Sequence, residues 1–315
     1  MTRAFVFPGQ GSQIVGMGKE LHDNMPVAAQ VFEEINDALG QNLSGIMFDG
    51  PQEDLTLTHN AQPALMAVSL AVIKVLEKDF EVKLEDAAAF VAGHSLGEYS
   101  ALAAAGAIGL ADTARLLKLR GEAMQRAVPV GEGAMAALLG LNFDVAEKVA
   151  LEAAQGEVCA AANDNADGQV VISGHKAAVE RAIEIAKENG AKRGVLLPVS
   201  APFHCSLMQP AADEMAAALA ETTILTPVVP VVTNVTASPE SDPEKIRQFL
   251  VEQVTGRVRW RESVLKMNEL GVDSLVEAGA GKVLTGMVRR ICRDMTGQAL
   301  QTPTDIEAFA ATLKA

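Results

Sequence analysis

VAGHSLGEYSALAAAG, residues 91–106, decides how the rest of the chain is read. At its centre Gly93-His94-Ser95-Leu96-Gly97 fits Gly-x-Ser-x-Gly. The run leading in, AAAFVAGH, is short and apolar, as a buried strand is. The run leading out, SLGEYSALAAAGAIG, reads as a helix of small residues that Gly106 can stop. Strand, sharp turn and helix are the setting of a nucleophile elbow, where flanking glycines let the backbone turn and the two elements approach. Ser95 then sits where free N–H groups and the helix dipole favour negative charge. An oxyanion formed on a Ser95-bound carbonyl would meet the N–H of Leu96. The same residues also suit a plain helix N-cap, for which serine is a favoured residue.

Outward from this turn, RAFVF is an apolar strand closed by Pro8-Gly9, and helical periodicity covers Val27–Leu39 and Pro63–Lys78. Later strand-like runs are PVVPVVTNV and DSLVEAGAG, among helices at Leu207–Glu221, Pro243–Val254, Trp260–Leu270 and Lys282–Met295. This alternation predicts a mostly parallel α/β sheet. The middle differs. AMAALLGL, FDVAEKVALEAAQ, EVCAAAN, GQVVISG, HKAAVERAIEIAKENG and KRGVLLPVS give β-α-β-β-α-β, the ferredoxin-like order. A small lobe is therefore expected at 127–197, inserted into a larger domain formed by 1–126 and 198–315, with the site in the crevice between them.

The chain has 315 residues, of which 49% are hydrophobic, enough for a large core. A formal charge of −14 argues against nucleic acid or an anionic membrane as partner. Cys159, Cys205 and Cys292 are scattered and form no C-x-x-C pair, so neither a disulfide framework nor a zinc site is expected. The short run after Arg3 is no signal peptide, and no apolar window approaches the ~20 residues of a membrane span. A cytoplasmic, monomeric protein is expected. GQGSQIVGMG fails the dinucleotide fingerprint because Ile14 stands where the third glycine belongs. No nucleotide cofactor is expected.

A serine nucleophile needs a base, and there are five histidines. His22 lies among polar neighbours on an early helix and His59 in a loop. His175 begins a helix, where a cation is disfavoured. His94 adjoins Ser95 and should point to the other face. His204 follows PVSAPF where the chain returns to the large domain, and is favoured as base over a satisfied core histidine. Asp144, Asp164 and Asp167 lie between Ser95 and His204, but none has the context of a triad acid; a dyad oriented by a backbone carbonyl serves equally.

Arg120 is out of place. On a helical wheel of ADTARLLKLRGEAMQRA, with Leu116 at zero, it falls at about 40°, inside the apolar arc. A buried guanidinium needs a partner. A protein carboxylate or a substrate carboxylate would satisfy it, unless the side chain snorkels past its neighbours to solvent.

Together these residues closely resemble the malonyl-CoA:acyl-carrier-protein transacylases of fatty-acid synthesis, over essentially the whole chain. The carrying motifs are FPGQGSQ (7–13), GHSLGEYSAL (93–102), RGEAMQ (120–125), NDNADGQVVISG (163–174), PVSAPFHC (198–205) and EAGAGKVLTG (277–286). The resemblance implies a hydrolase-like large subdomain with a ferredoxin-like insert. It implies Ser95 as the acylated nucleophile and His204 as its base. The N–H groups of Gln10 and Leu96 would form the oxyanion hole, Arg120 would clamp the malonyl carboxylate, and the main-chain carbonyl of Gln253 would orient His204. Arg257 stands where the family often has proline, and Phe203 matches the malonyl-preferring form. Malonyl-CoA and an acidic acyl carrier protein are the implied partners, with no metal or redox cofactor. Two basic groups are candidates for carrier docking: Arg257, Arg259, Arg261 and Lys266, or Lys282, Arg289, Arg290 and Arg293. A free-standing acyltransferase of a polyketide pathway shares this chemistry; a serine hydrolase shares Ser95 and His204 but has no use for Arg120.

Overall fold

The computed structural model describes residues 1–314. Ten strands fall into two sheets: β1 (Arg3–Phe7), β2 (Phe90–Gly93), β3 (Gly133–Leu139), β4 (Cys159–Ala166), β5 (Gln169–His175), β6 (Arg193–Leu196), β7 (Val231–Val232), β8 (Pro239–Glu240), β9 (Ser274–Ala278) and β10 (Thr296–Leu300). The larger sheet runs β10-β9-β1-β2-β7-β8, parallel except for β8 at the edge. Side-chain alternation along β1 feeds two separate cores. Phe5 and Phe7 point into one, with Val91, while Ala4 and Val6 point into the other, with Ala92 and Trp260.

The smaller sheet, order β4-β5-β3-β6, is antiparallel throughout. With the helices Phe143–Ala154 and Lys176–Glu188 it has the β-α-β-β-α-β order and its own core around Leu138, Val149, Ile172 and Val179. One seam to the larger body runs along β4, and Met135, Ala162 and Val171 pack into the larger core. The Asp164 N–H donates to Val258 O at 2.9 Å, the Val258 N–H donates to Ala162 O at 2.8 Å, and Arg261 pairs with buried Asp164 at 2.9 Å.

Several elements differ from expectation. PVVPVVTNV yields only the two residues of β7, because Pro227 and Pro230 withhold ladder donors. The helix expected to reach Met295 stops at Ile291. His59 lies not in a loop but in the first turn of the helix Thr58–Asp79, which is buried along most of its length. Strands β8 and β10 have no counterpart in the expected pattern. Among the described residues no helix is long and apolar enough to cross a membrane.

Candidate active site

The parallel register aligns the carboxyl ends of β1, β2 and β7: Phe7 pairs with Gly93, and Ala92 with Val232. The loops leaving those ends carry Gln10, Ser95 with Leu96, and Asn234. This is the edge of an open α/β sheet where ligands gather.

Gly-x-Ser-x-Gly is explained sterically. A Cβ on Gly93 would collide with the carbonyl of Gly97, and one on Gly97 would run into Phe7 O, so only glycine lets strand and helix close on each other. Ser95 takes up the turn with φ +53°, a left-handed value costly for a non-glycine residue. It is not the helix cap: the helix begins at Gly97 and no side chain caps it. Asn234 holds the strained turn. Its Oδ1 accepts from the Ser95 N–H at 2.8 Å, and its Nδ2 donates to Gly93 O at 2.7 Å.

Ser95 Oγ lies 2.7 Å from His204 Nε2. His204, also at positive φ (+58°), is 4% exposed, and its Nδ1 lies 2.9 Å from Gln253 O and 3.1 Å from Gly256 O. Two carbonyl oxygens at Nδ1 require the proton there. Nε2 is therefore the lone pair facing the serine hydroxyl. Among the described residues no carboxylate hydrogen-bonds His204. Arg257 does not disturb this loop: its guanidinium lies 4.0 Å from the Phe143 ring centroid and pairs with Glu262.

Burial, and then the charge of Arg120, push the His204 imidazole down to about 3. A base whose value lies below the ordinary 6.5 stays neutral, and so competent, as pH falls through 6.5. The acid limb of Ser95 acylation by malonyl-CoA is therefore expected well below 6.5, as quenched-flow rates against pH will show. A limb at the ordinary value would contradict this environment for the base. Neighbouring Cys205 offers no rival nucleophile, since burial raises its thiol.

Arg120 projects from the helix Leu110–Ala127 and is 2% exposed. Among the described residues no carboxylate lies within ion-pair distance of it. Its partners are neutral: Nη1 donates to Gln62 Oε1 at 2.7 Å, and Nη2 donates to Gln253 Oε1 at 2.8 Å and to Ser95 Oγ at 3.2 Å. The Tyr99 ring lies 5.7 Å from its Cζ. Of the two ways to satisfy a buried guanidinium, the protein carboxylate is thus missing.

The N–H groups of Gln10 and Leu96 donate to no other described residue, and both residues line a cavity of about 390 Å³. Ser95, His204 and Arg120 lie on its walls with Met124, Met135, Val171 and Phe203. His94 lines it too, with Nε2 2.8 Å from Asn165 Oδ1, and does not reach the serine hydroxyl. His175 is taken up elsewhere: its Nδ1 accepts the Val158 N–H, 2.9 Å away, and it lies outside the cavity lining. Sequence reasoning missed Gln62, Glu98, Asn165 and Asn234. The one faint signal was Glu98, a carboxylate in a run of small and apolar residues.

A strained serine at a strand–helix elbow, a ring nitrogen facing its hydroxyl, two idle N–H donors and a sequestered guanidinium are the parts that acyl transfer requires. The chain belongs to the acyl transferase domain family, which matches residues 4–307, and within it to the malonyl CoA-acyl carrier protein transacylases. The malonyl CoA-acyl carrier protein transacylase of Escherichia coli K12 is 48% identical over 311 residues, 99% of this chain and 98% of that protein. The acyl-carrier-protein-S-malonyltransferase of Bartonella henselae superposes with a TM-score of 0.97 at 56% identity, each chain covered in full. A malonyl-transacylase solved in complex with a type II polyketide acyl-carrier protein superposes with a TM-score of 0.96 at 43% identity, covering 99% of this chain and 100% of that one.

Proposed function

We propose that the site moves a malonyl group from CoA to the phosphopantetheine thiol of an acyl carrier protein, in fatty-acid synthesis, through a malonyl ester on Ser95. The observation that carries this reading is Arg120: a buried guanidinium with no carboxylate of a described residue within ion-pair distance, 3.2 Å from Ser95 Oγ. That separation suits an acyl group whose free carboxylate lies one methylene from the reacting carbonyl.

His204 Nε2 takes the Ser95 proton as Oγ attacks the thioester carbonyl. The N–H groups of Gln10 and Leu96 hold the oxyanion, whose charge exists only near the transition state. The C–S bond breaks, and the CoA thiolate leaves with the proton from Nε2. Nδ1–H on the carbonyls of Gln253 and Gly256 keeps the ring aligned while it is charged. The carrier thiol then gives its proton to Nε2 and attacks the ester, and Ser95 is reprotonated as it departs. Every charge in this sequence is met by a side chain or N–H, so the chemistry calls for no metal or redox group. This reading places the reaction in the cytoplasm, with the catalytic body formed by 1–126 and 198–315 and the lobe 127–197 roofing it.

Initial rates with malonyl-CoA and holo carrier protein test the scheme: a ping-pong pattern is expected, and free malonate in place of malonyl-carrier would mark a hydrolase. The first candidate docking group is largely consumed internally, since Arg257 and Arg259 pair with Glu262, Arg261 with Asp164 and Lys266 with Glu269. Lys282, Arg289, Arg290 and Arg293 are exposed and form no ion pair with a described residue. Gly281, just before them, packs against Ser12 in the loop that lines the cavity. Replacing Arg289 and Arg290 with glutamate is expected to raise the KM for carrier protein by about tenfold, at low salt, and to leave that for malonyl-CoA alone. Unchanged carrier kinetics would remove this face as the docking surface.

A further inference from the structure

Glu98 is a buried carboxylate, 1% exposed, to which the acyl-transfer steps assign no part. It lies three residues after Ser95 in the elbow helix. Its Oε2 accepts two hydrogen bonds, from Gln253 Nε2 at 2.9 Å and from the Asn234 N–H at 3.0 Å. Its Oε1 is buried and meets no partner. Gln253 Nε2 also donates to Ser95 O at 3.0 Å. Both amide hydrogens of Gln253 are thus engaged, which leaves its Oε1 turned to Arg120 Nη2, 2.8 Å away.

A carboxamide is nearly symmetric in shape, so its direction must be set by what surrounds it. Reversed, the Gln253 amide would set donor against donor at Arg120 and acceptor against acceptor at Glu98 and Ser95 O. Without Glu98 the carboxamide would keep one anchored hydrogen instead of two, and two buried donors would lose their acceptor.

We propose that Glu98 is a positioning residue for acyl-group selection: it holds the Gln253 carboxamide so that Arg120 stays aimed at the acyl carboxylate. The inference rests on the reading of Arg120 as the carboxylate clamp. It separates two jobs of Gln253. The main-chain carbonyl serves the base, and the side chain, held by Glu98, serves the clamp. Burial pushes the Glu98 carboxyl up to about 7. A proton on the unpartnered Oε1 leaves Oε2 accepting both bonds, so Glu98→Gln is the conservative replacement.

The test is the burst rate of Ser95 acylation by malonyl-CoA and by acetyl-CoA, read as the malonyl/acetyl ratio. In Glu98→Ala the ratio is expected to fall by about tenfold or more, the effect of one lost hydrogen bond to a charged group. In Glu98→Gln it is expected to stay within about threefold of wild type, because one oxygen still accepts both bonds. Equal loss of both rates in Glu98→Ala would reduce Glu98 to general support and overturn the proposal, as would a ratio lost equally in Glu98→Gln. Should Glu98→Ala not fold, Gln253→Leu decides. It keeps the carbonyl on His204 and removes the carboxamide, so it must lower the ratio; an intact ratio overturns the proposal. Arg120→Ala is run alongside. If it keeps the malonyl preference, the clamp itself is wrong. If it loses the preference while Glu98→Ala keeps it, only the role of Glu98 fails.

Discussion

Ser95→Ala is expected to lower malonyl transfer by roughly 10⁴-fold or more while the protein stays folded. The size follows from what Oγ does. In the proposed scheme it forms the bond that carries the acyl group between two thiols, and neither Cys205 nor His94 is placed to substitute for it. Burial keeps the Cys205 thiol protonated, and His94 is turned to Asn165. Alanine removes one half-buried hydroxyl and two hydrogen bonds, to His204 Nε2 and Arg120 Nη2. The elbow itself is held by Asn234 acting on backbone atoms of Ser95 and Gly93, which the substitution leaves in place. Thermal unfolding should therefore change little. Substantial transfer by this variant would mean that the acyl group never rests on Ser95.

Arg120→Ala is expected to lower Ser95 acylation by malonyl-CoA about a hundredfold or more and acetyl-CoA acylation far less. A guanidinium can face a carboxylate through two parallel N–H bonds, each charge-assisted, and burial strengthens them by excluding water. Arg120→Lys should recover little of this, because a point charge cannot reproduce the fork or keep both Gln62 and Gln253 engaged. Removing the cation has a second effect, on the base. Arg120 is one of the charges that hold His204 neutral, so its loss should move the acid limb of the surviving acylation upward. Acylation rates of the variant with both thioesters, taken across pH, read the two effects separately.

These residues differ in how far the sequence announces them. Ser95 is legible because glycines on both sides have no other purpose in a strand–helix turn, and the steric conflict at Gly93 and Gly97 is the reason. Arg120 is legible because periodicity puts a charge where periodicity demands an apolar side chain, and it is among the largest fully buried side chains. His204 emerges only by elimination, and the carbonyl of Gln253 only by resemblance. Strand β10 carries almost no signal: TGQAL is mainly exposed and lies at the sheet edge. PVVPVVTNV carries too much, its apolar run suggesting a long strand that two prolines prevent. Gln62 and Asn234 are silent, and Glu98 nearly so, because their roles depend on which way an amide or carboxylate points across long chain separations. No local pattern encodes that direction.

In the proposed scheme the acyl group passes through a covalent ester on Ser95 and is selected by Arg120. Both points are read from intact-protein mass after brief exposure to malonyl-CoA or acetyl-CoA and acid quenching. A single malonyl adduct is predicted on the wild type, with none on Ser95→Ala and a malonyl preference lost in Arg120→Ala. Absence of an adduct on the wild type while malonyl-carrier still forms would contradict the ester. Free malonate in place of both would contradict the transfer as well.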